Sequence, residues 1–302
     1  MISPTFLKTG DKVGVAAPAG RVIKDTIDTG MALLKDLSGF NVVTGQHLYK
    51  RQGVFAGTDR ERTADLQQML DDQEIKAIFF ARGGYGCIRV LPHLDFSGFV
   101  RHPKWLIGFS DITVFHAHVN TKLKTQTIHG SMPGSYASGK YNPANLADLI
   151  NLLKNKPVSY AFPSAHKNLP GTVTGEIVGG NLSIICSLLG TPFDINTKQK
   201  ILLIEDVAEH DYRIDRMLNT LRLAGKLKDL KALLIGDFTN VTSGTFAMQQ
   251  SIEEMIMEAA TGNNYPLAFG IKAGHDLLNK PFIFGRHVKV KVEENHTNIN
   301  YE

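Results

Sequence analysis

The fold is decided between residues 104 and 119, which read KWLIGFSDITVFHAHV. The first six residues form an apolar run typical of a buried strand, and a helical pattern begins at Asp111. Ser110 stands at the junction. A serine on a sharp strand-to-helix turn presents its hydroxyl at a helix N-terminus, which favours developing negative charge. The stretch therefore predicts a nucleophile elbow. An ordinary N-cap is the alternative, because Ile112 replaces the second glycine of the G-x-S-x-G motif.

Two later segments supply the partners that a nucleophilic serine needs. Glu205 ends an apolar run typical of a buried strand, where a carboxylate is costly without a partner. His275 lies in a glycine-punctuated loop, GIKAGHD at 270–276. The chain order Ser, Glu, His is that of α/β-hydrolase triads, in which the histidine takes the serine proton and the carboxylate fixes its tautomer. Taken singly, Glu205 could instead pair with Arg213 or Arg216, and His275 could be a plain loop residue.

A glycine-rich segment, GGYG at 83–86, follows the apolar run 77–81. It is not a dinucleotide fingerprint, because G-x-G-x-x-G needs a glycine where Arg89 stands, and no Gly-Lys-Ser/Thr follows to make a phosphate loop. Glycine lets the backbone approach a substrate closely. We therefore expect an oxyanion hole formed by the N–H groups of Gly84 and Asp111, with an ordinary tight turn as the alternative.

Arg82 immediately precedes this loop. An arginine can hold a terminal carboxylate with two parallel hydrogen bonds, which makes Arg82 a candidate for substrate binding. A structural salt bridge is the equally open alternative.

The composition is that of a globular protein, and the length favours two domains. The chain has 302 residues, 43% hydrophobic and 21% charged, with a net charge of +4. Its basic residues are dispersed, so nucleic acid is not indicated as a partner. No apolar run is long enough to span a membrane. Two isolated cysteines and the lack of a leader pattern predict a cytoplasmic location. No zinc signature is present, so we expect neither a metal nor a cofactor.

Strand and helix patterns alternate in the first half of the chain, which predicts an α/β domain with a doubly wound parallel sheet. Both the glycine-rich loop and Ser110 would then lie at the carboxyl ends of strands, where such sheets bind ligands. A proline-bearing stretch predicts a linker over 155–170, between an N-terminal nucleophile domain over 1–154 and a smaller, mixed α+β C-terminal domain over 171–302 that carries the acid and the histidine.

Several segments, in order and nearly end to end, resemble one family, the LD-carboxypeptidases, which are serine peptidases of the muramoyltetrapeptide carboxypeptidase type. These segments are 10–20, 81–86, 108–113, 179–182, 205–207 with 212–218, and Gly274-His275 with Asn279, Pro281 and Gly285.

The resemblance implies a glutamine-amidotransferase-like N-terminal domain and a catalytic triad of Ser110, Glu205 and His275. It also implies a murein tetrapeptide substrate that loses its terminal D-alanine during cell-wall recycling, and a homodimer. Two alternatives remain open at this point. One is a related self-immunity hydrolase that cleaves a peptidyl nucleotide antibiotic, and the other is a peptide-binding protein without catalysis.

Overall fold

The computed structural model describes residues 1–137, 142–244 and 247–301. The strands are β1 (Lys12–Ala16), β2 (Asn41–Thr44), β3 (Ile75–Phe80), β4 (Trp105–Gly108), β5 (Thr127–His129), β6 (Ser159–Pro163), β7 (Gly171–Asn181), β8 (Ile201–Val207), β9 (Ala232–Thr239), β10 (Leu267–Ala268), β11 (Phe282–Phe284), β12 (His287–Glu293) and β13 (His296–Tyr301). The helices are α1 (Lys24–Ser38), α2 (Asp59–Asp71), α3 (Cys87–Val90), α4 (Ser97–Arg101), α5 (Thr113–Lys122), α6 (Pro133–Tyr136), α7 (Pro143–Leu153), α8 (Leu182–Leu188), α9 (Asp211–Leu223) and α10 (Ile252–Ala259).

The first half of the chain forms a parallel sheet in the order β2-β1-β3-β4-β5. Its central strands β1, β3 and β4 are almost wholly buried, which explains why they read as apolar runs rather than as alternating patterns. The strand order reverses at β1, so the carboxyl ends of β1 and β3 flank a switch point, the usual place for a ligand in such sheets. The predicted doubly wound fold is confirmed.

The second half forms a mixed sheet. Its strands β10-β9-β8-β7 are parallel, and β12, β13 and β6 continue the sheet with antiparallel pairing. The alternation expected near the C-terminus is present, because every second side chain of β12 is buried. The predicted α+β character of this half is therefore confirmed.

The connections between the halves differ from the expected simple linker. The segment 155–170 contains β6, an edge strand whose Tyr160 and Phe162 face inward. Pro163 is one reason why the sequence predicts a linker here instead of a strand. Proline is nevertheless tolerated in an edge strand at a position where no neighbouring strand needs its N–H. In addition, β11 pairs antiparallel with β5 and so completes the first sheet from within the second half of the sequence. The division into domains over 1–154 and 171–302 remains a prediction.

Candidate active site

Ser110 lies in a 3-10 turn, Ser110–Ile112, between β4 and α5, and its φ is +65°. Residues other than glycine rarely adopt a positive φ, and backbone strain of this kind concentrates at functional sites. Phe109 is the residue in extended conformation that precedes the turn, and no side chain caps it. Ser110 is thus not the N-cap, and its backbone has the sharp geometry expected of a nucleophile elbow.

The glycine-rich loop that follows β3 packs against this serine. A Cβ atom on Gly83 would stand 2.9 Å from Ser110 Cβ and 3.0 Å from Ser110 Oγ, so the contact requires glycine. The same point lies 3.5 Å from the Asp111 nitrogen. Within the described residues, neither the Gly84 nor the Asp111 backbone N–H donates to a protein acceptor. Both donors therefore remain free to bind an oxygen beside Ser110.

Glu205 and His275 form the second part of the site. Glu205, on β8, is fully buried and accepts a hydrogen bond from His275 Nδ1 at 2.8 Å. With Nδ1 donating to the carboxylate, Nε2 is left as the basic nitrogen. Gly274 permits this approach, because a Cβ there would stand 3.0 Å from Glu205 Oε2. The alternative pairing of Glu205 with Arg213 or Arg216 is wrong, since neither arginine bonds Glu205 among the described residues and Arg213 pairs with Glu209 at 3.6 Å.

Ser110 and His275 line one cavity of about 480 Å³ at the carboxyl edge of the first sheet. The ring of Phe109, the residue before the serine, packs 4.8 Å from the His275 ring between centroids. No hydrogen bond joins the Ser110 hydroxyl to His275 among the described residues; such catalytic contacts often tighten only in the substrate complex. Much of the remaining lining is apolar, contributed by Val22, Ile23, Ile27 and Met132.

The comparisons with known proteins identify the family. Residues 13–130 match the family model described as the LD-carboxypeptidase N-terminal domain, and residues 174–290 match the LD-carboxypeptidase C-terminal domain. The chain belongs to the LD-carboxypeptidase family. As a member of this serine peptidase family it is a hydrolase.

Individual relatives agree along almost the whole chain. A probable murein peptide carboxypeptidase of Bacillus subtilis is 38% identical over 90% of this chain and 86% of its own length. The murein tetrapeptide carboxypeptidase of Pseudomonas aeruginosa is 30% identical over 93% and 94%. The crystal structure of muramoyltetrapeptide carboxypeptidase from Oxalobacter formigenes superposes with a TM-score of 0.87 at 26% identity, covering 96% of this chain and 98% of that one.

Arg82 also lines the cavity of this LD-carboxypeptidase family member. Its Nη1 donates to the Arg21 carbonyl at 3.0 Å, and no carboxylate pairs with its guanidinium among the described residues. The structural salt bridge considered from the sequence is therefore not present there. The guanidinium keeps further donors that can meet a substrate carboxylate.

Two buried carboxylates beside the triad bind backbone and side-chain donors. Asp111 accepts from the Cys87 nitrogen at 2.9 Å, and burial raises its pKa. Asp206 accepts from Asn181 Nδ2 and from the Ser183 nitrogen, each at 2.9 Å, and burial raises its pKa to about 6. Both act as local hydrogen-bond acceptors.

Asn145, which the sequence analysis missed, anchors the histidine loop. Its amide donates to the Leu277 carbonyl at 2.9 Å and its Oδ1 accepts from the Asn279 nitrogen at 3.1 Å. Asn279 in turn accepts from the Gly274 nitrogen at 3.1 Å. Helix α7, which carries Asn145, could have been found from its N-terminal signal, a capping asparagine followed by proline at 142–143.

His116 supports the nucleophile strand. Its Nε2 donates to the Gly108 carbonyl at 2.8 Å, and Nδ1 contacts Thr127 Oγ1 at 2.9 Å. Burial lowers the pKa of His116 to about 4, so the ring is neutral at pH 7.

Across residues 1–137, 142–244 and 247–301, no three His, Cys, Asp or Glu side chains are grouped to hold a metal ion.

Proposed function

We propose that the protein is an LD-carboxypeptidase that releases the terminal D-alanine of murein tetrapeptides. The observation that carries the proposal is the Glu205–His275 hydrogen bond facing the same cavity as a strained Ser110. The names of the relatives in Bacillus subtilis and Pseudomonas aeruginosa support murein peptides as the substrate class.

In the proposed mechanism, Ser110 Oγ attacks the carbonyl that joins the L-centre of the diamino acid to D-alanine. His275 Nε2 accepts the serine proton and then gives it to the leaving amine, while Glu205 stabilises the imidazolium. The N–H groups of Gly84 and Asp111 bind the oxyanion, and one such donor contributes about 3 kcal/mol to the transition state. Water then attacks the acyl carbon while His275 takes its proton, the bond to Ser110 Oγ breaks, and His275 returns the proton to Ser110 Oγ.

Arg82 is the proposed site for the substrate carboxylate. Among the described residues that line the cavity of Ser110 and His275, Arg82 is the one Arg, Lys, Asp or Glu. The apolar neighbours Val22, Ile27 and Met132 suit a small side chain such as the methyl group of D-alanine. A carboxypeptidase needs this combination, because the terminal residue must be anchored by its carboxylate.

A cytoplasmic location and a homodimer complete the proposal. The location fits an enzyme of cell-wall recycling, and the dimer is implied by the resemblance to the family. No helix within the described residues has both the length and the apolar character needed to cross a membrane. Size-exclusion chromatography with light scattering tests the dimer, and cell fractionation tests the location.

The direct test incubates the pure protein with a murein tetrapeptide and follows free D-alanine by mass spectrometry. A peptide ending in L-alanine is the matched control, and a peptidyl nucleotide assayed in parallel tests the self-immunity alternative. We expect release from the D-alanine peptide only, and activity that survives dialysis against EDTA. A serine-directed fluorophosphonate should label Ser110, whereas a binding protein without catalysis would stay unlabelled.

A further inference from the structure

Arg62, on α2, is a buried charge with no part in the mechanism so far. Only 2% of the residue is exposed, and the ring of Phe55 lies 4.7 Å from its Cζ atom. Its Nη1 donates to the carbonyls of Pro18 and, at 3.1 Å, Gly86, while Nη2 pairs with Asp59. The guanidinium therefore ties together the loops that follow β1 and β3, the strands that flank the switch point of the first sheet.

Gly86 and Arg62 are fitted to each other. The φ of Gly86 is +140°, a conformation that favours glycine. A Cβ atom at this position would stand 2.5 Å from Arg62 Nη1. The guanidinium thus occupies the space that a side chain at position 86 would fill. In that space it holds the carbonyl of Gly86, the last residue of the glycine-rich loop.

The rest of this loop is fixed on either side of Gly84. The Gly83 carbonyl accepts from the Gly20 nitrogen at 3.2 Å, and the Cys87 nitrogen donates to Asp111 Oδ2 at 2.9 Å. The Gly83 carbonyl belongs to the same peptide unit as the Gly84 N–H, and the Gly20 nitrogen that holds it lies two residues after Pro18, whose carbonyl accepts from Arg62. On the other side of Gly84, Arg62 and Asp111 together hold the peptide unit between Gly86 and Cys87. Yet the N–H of Gly84 itself bonds to no acceptor within the described part of the chain.

We propose that Arg62 is a positioning residue that fixes the Gly84 N–H for the oxyanion of the transition state. The inference rests on the proposed function, since it gives Arg62 a role in the catalysis proposed for the site of Ser110 and His275. A lysine cannot replace the arginine, because it lacks the planar fork that bonds two carbonyls and a carboxylate in fixed directions. Preorganised donors lose much of their effect when they are displaced by about 1 Å, which can cost on the order of 10²-fold in rate.

Arg89 provides the matched control. It pairs with the same Asp59 through Nε and Nη2, and its Cζ lies 5.5 Å from the same Phe55 ring. Its side chain is exposed and bonds neither loop carbonyl, and the backbone N–H that donates to the Gly86 carbonyl at 3.0 Å is kept in any substitution except proline. Its side chain also lies near the Tyr85 side chain of the glycine-rich loop. Arg89→Lys therefore changes the chemistry on the same carboxylate without altering the bonds to the loop carbonyls that Arg62 holds.

The test compares Arg62→Lys with Arg89→Lys for D-alanine release and for affinity toward a peptide boronic acid, which forms a tetrahedral adduct with the serine. For Arg62→Lys we expect kcat to fall about 10- to 100-fold with KM within twofold. We expect the boronic acid to bind more weakly by a similar factor. Arg89→Lys should keep both within twofold of the wild type. A purely structural role would lower the melting temperature without this parallel loss of kcat and boronate affinity.

Several outcomes would overturn the inference. Wild-type kcat in folded Arg62→Lys does so, as does an equal loss in Arg89→Lys or a loss confined to KM. If Arg62→Lys does not fold, Arg62→Gln, which keeps an uncharged donor group on a shorter side chain, is measured in the same way. If neither variant folds, the arginine is a requirement of the fold and the positioning role is rejected. Failure of the proposed function is distinguishable, because the wild type would then release no D-alanine and would not be labelled at Ser110.

Discussion

The nucleophile and the general base of this site are held by different means. Ser110 is set by local backbone geometry, with a φ of +65° in a turn between adjacent elements. His275 is positioned by a side chain distant in sequence, because Asn145 bonds the backbone of its loop at Leu277 and Asn279, which lie 132 and 134 residues away along the chain. The first arrangement tolerates little change of backbone. The second can loosen gradually, and so the two regions should respond differently to substitution.

The largest effect is expected from the serine. Ser110→Ala should lower kcat by about 10⁴- to 10⁶-fold, because a triad without its nucleophile keeps only the contribution of binding and the oxyanion donors. Release of D-alanine, followed by mass spectrometry, measures the loss, and the melting temperature should stay close to that of the wild type. A variant with a tenth of wild-type activity would rule out Ser110 as the nucleophile.

The acid and the base come next. His275→Ala should be nearly as severe as Ser110→Ala, and Glu205→Gln should be milder, at about 10³- to 10⁴-fold in kcat, since Glu205 orients the imidazole but transfers no proton. Steady-state kinetics on folded variants measure the difference. If Glu205→Gln were more damaging than His275→Ala, the assignment of their roles would be reversed or wrong.

A moderate effect is expected from the anchor of the histidine loop. Asn145→Ala removes a partly buried hydrogen bond to the backbone at 277 and a buried one to the backbone at 279, which together should cost about 1–3 kcal/mol of stability. We expect kcat to fall about tenfold as His275 loses its fixed position, with Ser110 still labelled by a fluorophosphonate at a reduced rate.

Asp148→Asn is the control for this anchor. It breaks the partly exposed ion pair with Lys280 in the same loop, at 2.6 Å, and leaves the backbone bonds intact. An exposed pair of this kind contributes about 0–1 kcal/mol, so activity should change little. Equal losses in Asn145→Ala and Asp148→Asn would contradict the anchoring role.

The same contrast explains what the sequence could predict. Ser110 and Glu205 each follow an apolar run that predicts a buried strand. In both cases the run and the polar residue lie within a few positions of each other, so a local pattern is enough to predict them. The anchoring of His275 by Asn145, the crossing of β11 into the first sheet and the edge strand β6 all depend on contacts distant in sequence. No local pattern specifies such contacts, and the prolines around β6 pointed to a linker instead.

The last prediction concerns His116, which supports the nucleophile strand and should affect the pH dependence of stability more than catalysis. Its pKa of about 4 lies below the value of about 6.5 for an unfolded histidine, so the unfolded chain takes up the proton first as pH falls. The stability contributed by neutral His116 is thus complete above pH 6.5 and is lost between pH 6.5 and pH 4. His129, whose pKa burial also lowers, acts in the same direction.

Urea denaturation at pH 7.5 and pH 4.5 measures this loss. For the wild type we expect a markedly lower free energy of unfolding at pH 4.5. In His116→Gln, whose amide can still donate to the Gly108 carbonyl, the difference between the two pH values should shrink by about 2 kcal/mol, since one pKa unit corresponds to about 1.4 kcal/mol. His102→Gln, at an exposed histidine, should leave the difference unchanged. Equal pH dependence in the wild type and His116→Gln would contradict both the lowered pKa of His116 and the contribution of its neutral ring to stability.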